Sequence, residues 1–67
     1  MPIWTNIIHV TTGNLLADEY RDDRPLPGDT IEINGRRMRI LESRLINPRT
    51  YDWSGVIREV FVTEVLD

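Results

Sequence analysis

The chain has 67 residues, no cysteine, a single histidine and a formal net charge of −3. That length allows one small domain across residues 1–67. Ordering each residue costs about 1.5 kcal/mol, so such a domain sits near zero net stability without a staple, a metal or a partner. Disulfides and thiolate metal sites are excluded, His9 alone builds no zinc site, and no cofactor is expected.

No apolar run approaches the ~20 residues of a membrane span. Met1, Pro2, Ile3 and Trp4 lack the basic and apolar regions of a signal peptide, so a cytoplasmic protein is expected. All eight basic residues are arginine. Every cation is therefore planar, permanently charged and able to fork onto a carboxylate or phosphate.

Residues 3–12 are rich in Ile, Val, Thr and Trp and form the first strand candidate. Trp4, Asn6, Ile8 and Val10 share one parity; Ile3, Thr5, Ile7 and His9 share the other. Both carry apolar groups, and the even set is expected to face the core. Thr12, Gly13 and Asn14 end the run, and two readings compete for the segment after it. Gly13-Asn14 can form a hairpin turn. Alternatively, Asn14 caps a short helix over residues 15–22, with Asp18 and Glu19 near its positive end. Leu15, Leu16, Ala17 and Glu19 are good helix formers, so the helix is the expectation, with Leu16 and Tyr20 on its buried face.

Pro25, Pro27 and Gly28 make residues 24–29 a loop that feeds a strand at Thr30. Asn34-Gly35 tolerates the two positive φ angles of a type I′ turn, whose twist matches that of paired strands. It predicts the pairs Ile33:Arg36, Glu32:Arg37, Ile31:Met38 and Thr30:Arg39. Ile31 and Met38 then share one face, and Glu32 and Arg37 meet as opposite charges on the other.

The second arm runs over residues 36–46, where Ile40-Leu41 breaks the alternation and predicts a bulge or bend. Residues 47–55 form a second loop holding Tyr51 and Trp53. In the last strand, over residues 56–66, Val56, Val60, Val62 and Leu66 point one way, and Ile57, Phe61 and Val65 the other. A strand apolar on both faces must be covered on both. A closed or nearly closed barrel, a helix over the sheet, or a homodimer through this strand would supply that cover.

The expected fold is mostly β: a small twisted antiparallel sheet or an SH3- or OB-like barrel, with one short helix near residues 15–22. Its expected core is Trp4, Ile8, Val10, Leu16, Ile31, Ile33, Met38, Ile40, Val60, Phe61 and Val62.

Chemistry-bearing motifs are few. Ser43 and Ser54 have neither a glycine elbow nor a second histidine for a triad, and the four glycines are isolated turn residues rather than a phosphate loop. His9 in a Thr/Val-rich strand reads as structural. No enzymatic activity is expected. Arg36, Arg37, Arg39, Arg44 and Arg49 stand against one acid, Glu42, between residues 36 and 49, and the neighbouring Tyr51 and Trp53 add stacking surfaces. Arginine beside aromatics is the composition of protein-interface hot spots and of single-strand nucleic-acid binders. Opposing it in charge, Asp18, Glu19, Asp22 and Asp23 surround Arg21, which polarises the molecule. An acidic chain fits a protein partner better than nucleic acid. The expected function is thus a small non-enzymatic binding module that contacts another protein through Arg36, Arg37, Arg39, Arg44, Arg49, Tyr51 and Trp53. Nucleic-acid binding through the same residues is the alternative.

Overall fold

A computed structural model describes residues 2–47 and 55–65. Five strands run in chain order: β1 (Ile3–His9), β2 (Leu15–Arg21), β3 (Thr30–Ile33), β4 (Arg36–Ile46) and β5 (Ile57–Glu64). They form one sheet in the order β2-β1-β5-β4-β3, curled into a half-barrel. Three neighbouring pairs are antiparallel, while β1 and β5 run parallel in the middle, so the sheet is mixed rather than wholly antiparallel.

The Asn34-Gly35 turn is as expected. Asn34 has φ of 52° and Gly35 of 79°, and all four pairs, Thr30:Arg39 to Ile33:Arg36, form. Asp29 continues the ladder by accepting from the Ile40 N–H at 2.9 Å.

The helix expected over residues 15–22 is absent: the segment is β2, paired antiparallel with β1. Helix propensity amounts to tenths of a kcal/mol per residue, and an eight-residue helix must overcome its own nucleation cost. Pairing with β1 satisfies the same backbone groups and also lays Leu16 and Ala17 against the core. The Gly13-Asn14 hairpin reading is the one that holds. Gly13 donates to the His9 carbonyl at 2.8 Å, and His9 donates to the Asn14 carbonyl at 2.9 Å.

The concave side holds the core of Ile7, Ile33, Met38, Ile40, Val60 and Val62, with Leu16, Ala17 and Ile31 packed against it. This corrects the expected parity of β1. Thr5 and Ile7 face inward and are fully buried, whereas Trp4 and Ile8 lie on the opposite side and Val10 is 46% exposed in the turn. Phe61 lies on the opposite side as well, since it is the neighbour of Ile8 and alternates with buried Val60 and Val62. Buried Thr5 satisfies its hydroxyl by donating to the Ile3 carbonyl at 3.0 Å.

Between Ile40 and Glu42 the β4–β5 register shifts by one residue, the bulge expected at Ile40-Leu41. It reverses the parity of β4. Before it, even residues Met38 and Ile40 face the core; after it, even residues Glu42, Arg44 and Ile46 lie on the outer side, opposite Phe61, Glu59 and Ile57.

A candidate interaction surface on the outer face

Strand pairing lays the outer side of β2, β1, β5 and β4 out in three rows. They read Tyr20–Trp4–Ile57–Ile46, Asp18–Asn6–Glu59–Arg44 and Leu15–Ile8–Phe61–Glu42. Two rows are mainly apolar and flank a polar one. Trp4 and Tyr20 meet edge to face with centroids 4.9 Å apart, and the Trp4 indole Nε1 donates to Asn6 Oδ1 at 3.1 Å. Arg44 places its guanidinium 4.8 Å from the Phe61 ring centroid and donates from Nε to Glu59 Oε1 at 3.1 Å. Both arrangements use the polar edge or face of an aromatic ring, and each fixes side chains that would otherwise swing freely.

Trp4, Ile8, Ile57 and Phe61 are half-buried by their neighbours in the sheet, while Tyr20 and Leu15 are 60% and 54% exposed. Among the described residues, no helix and no second sheet lies over this face.

The structure separates the expected binding residues. Arg37 and Arg39 are exposed on the outer side of β4, opposite Glu32 and Thr30 of β3. Arg44 joins them on that side because the bulge has shifted its parity; without it, Arg44 would share the core face with Met38 and Ile40. Arg36 lies on the other side of β4, and its Nη2 is 3.8 Å from Glu64. Arg49, Tyr51 and Trp53 lie outside the described residues. The aromatic contribution visible on the outer face comes from Trp4, Tyr20 and Phe61, which sequence reasoning does not assign to a surface. The signal that points to them is the presence of apolar residues on both parities of β1 and β5.

The acidic segment is tied together by Arg21. Its guanidinium grips Asp23 with two bonds, at 2.7 and 2.8 Å, and donates to Glu19 at 2.8 Å. The hydrogen bond from Arg21 is the main reason the Asp23 carboxyl titrates below the usual carboxylate value, and the Arg21 pKa is raised in return. At the hairpin end, a depression of about 190 Å³ is lined by His9, Leu16, Ile33, Asn34, Arg36, Met38 and Glu64. That is below the ~300 Å³ of usual ligand sites, whereas two wider depressions that lie open to solvent reach it, one of about 500 Å³ beside Glu32, Arg37 and Val65 and one of about 310 Å³ beside Arg21, Arg24 and Asp29. Among the described residues, no group of three His, Asp or Glu side chains is arranged to hold a metal ion, and no helix is long and apolar enough to cross a membrane.

Comparison with protein-family models, with curated proteins and with solved structures found no match.

Proposed function

We propose that the chain is a small non-enzymatic binding module that docks onto another protein through the outer face of its sheet. The observation that supports this is the gathering of Trp4, Tyr20, Phe61 and Arg44 with Ile8 and Ile57 on one face, without a second layer among the described residues. Aromatic anchors and arginine carry most of the energy in protein interfaces. Trp4 and Arg44 are already held by Asn6, Glu59 and Phe61, which lowers the entropy lost on docking. Arg37 and Arg39 at one side would steer an acidic partner and raise its on-rate. A module of this kind serves as an accessory factor or inhibitor of a larger protein, and a cysteine-free domain suits the reducing cytoplasm.

The test is affinity capture from the native host with the full chain as bait. Tyr20→Ala combined with Phe61→Ala is expected to lose the specific partner, and Arg24→Ala in the loop after β2 to keep it. Undiminished capture of every partner by the double variant refutes the assignment of this face.

The second reading, nucleic-acid binding, is favoured by one feature: the bulge aligns Arg37, Arg39 and Arg44 on the same side. The engagement of Arg44 by Glu59 and the net charge of −3 weigh against it. Fluorescence anisotropy with single- and double-stranded oligonucleotides at low salt separates the two. A phosphate-bound complex weakens by about one power of salt concentration per phosphate contacted. No binding at high micromolar protein removes this reading.

A further inference from the structure

We infer that a second copy of this chain occupies the outer face, packed sheet against sheet about a two-fold axis that runs along the strands between β1 and β5. The inference rests on the reading of that face as a docking surface and names its occupant.

The order of residues across the sheet carries it. Such an axis exchanges the outer positions of every row and the inner positions of every row. In the polar row, Asp18 then lies over Arg44 of the second copy, and Asn6 over Glu59 of the second copy. Asn6 already accepts from Trp4 through Oδ1, so its NH₂ group is the part that faces the carboxylate. In the apolar rows, Trp4 lies over Ile57 of the second copy, and Ile8 over Phe61 of the second copy. The first two rows are complementary throughout under one operation, as an isologous contact requires, and the third is complementary at its inner positions, Ile8 and Phe61, while its ends set Leu15 over Glu42 of the second copy.

The competing two-fold axis, across the strands, stacks each strand on itself. Centred on the polar row, it places Asp18 on Asp18 and Glu59 on Glu59. Like charges brought together in this way select against it. Edge-to-edge pairing is also disfavoured. β3 offers only four residues, and β2 turns Glu19 and Arg21 to the concave side and is irregular beside Ile7, all of which blunt an edge. β5 is paired on both sides, so what it presents to another molecule is its outer face, Ile57 and Phe61. A specific contact takes about 500 Å² from each partner at the low end. That is about a tenth of the 4966 Å² of accessible surface.

The experiment is sedimentation equilibrium of the full chain over a wide concentration range, with three variants whose fold is checked by circular dichroism. Wild type is expected to pass from 7.9 kDa to twice that mass as concentration rises. Asp18→Arg alone and Arg44→Asp alone each set like charges against each other at both symmetry-related contacts, and each should weaken the dimer by about tenfold. Mixing the two variants restores opposite charges at both contacts, so the mixture is expected to dimerise as heterodimers when neither does alone. Phe61→Glu should abolish the dimer. A single 7.9 kDa species throughout overturns the second copy as occupant, while the capture experiment still decides the docking face itself. A dimer indifferent to Phe61→Glu overturns the second copy as occupant of this face, and the capture experiment again decides the docking face. A dimer that Phe61→Glu abolishes but that the mixed variants do not restore overturns the axis.

Discussion

Ile7 and Ile8 are adjacent, identical in chemistry and opposite in fate, which makes them a direct probe of which side of the sheet is the core. Ile7 has no exposed surface, whereas Ile8 is half-buried on the outer face. Ile→Val removes one methylene. The transfer term is about 0.8 kcal/mol, and with the cavity it leaves the total runs to about 0.5–1.5 kcal/mol. Complete burial beside Val60 puts Ile7→Val in the upper half of that range, about 1–1.5 kcal/mol. Ile8 gives up only the buried share of its methylene, about 0.3 kcal/mol. In a domain of this size, 1 kcal/mol moves Tm by about 4–8 °C. Thermal unfolding tracked by circular dichroism, at one low protein concentration, should therefore show a drop of at least about 4 °C for Ile7→Val and about 2 °C or less for Ile8→Val. The truncation Ile7→Ala costs about 3–4 kcal/mol, comparable to the whole stability of a chain this short, and should leave it largely unfolded. Equal losses at the two positions, or a larger loss at Ile8, refute the assignment of the concave side as the core.

Gly35→Ala should cost about 1 kcal/mol, because φ is +79° while the space for a Cβ is open; a D-alanine introduced there by chemical synthesis should cost nothing, which chemical denaturation of the two proteins checks. Acidification should destabilise the fold. Asp23 has a folded pKa below its unfolded value, so its contribution is present above the unfolded pKa and is lost as pH falls through the lowered one. The carboxyl is 54% exposed, which discounts the effect to a few tenths of a kcal/mol, and Asp23→Asn should flatten the urea midpoint against pH below about 5 by that amount. Arg44→Ala should lower stability by about 1 kcal/mol or less in urea titrations, since both its contacts are at the surface.

The parts of this fold legible in the sequence are those fixed by backbone conformation over a few residues. Asn34-Gly35 determines a turn type, the turn determines a register, and the register sets four pairs. Ile40-Leu41 signals the bulge by breaking a period. What stays hidden is decided across the chain. Residues 15–22 carry helix-forming side chains, and only the neighbouring β1 makes them a strand. β1 and β5 have apolar residues on both parities, so alternation marks two candidate core faces and cannot choose between them. The choice falls to the curl of the sheet, which no local pattern encodes. The same ambiguity conceals the outer face as a candidate surface, because Trp4 and Phe61 look like core residues in sequence.

The parallel pairing of β1 with β5 also dictates the order in which the molecule can be assembled. The first and last strands sit side by side at the centre, and Ile7 meets Val60 more than fifty positions later in the chain. β1–β2 and β3–β4 close through short turns and can form early, but neither hairpin contains a core; a lone two-stranded hairpin is marginal in water. β5 is the piece that joins them, adding its own Val60 and Val62 to Ile7 on one side and Ile40 on the other. Closing the loop over most of the chain costs entropy that only the arrival of β5 can offset. Folding is thus expected to be slow for such a short chain, on the millisecond-to-second scale of proteins dominated by distant contacts. On the ribosome, a nascent chain lacking residues 57–64 would expose both hairpins, with their apolar faces open, for the whole of that wait.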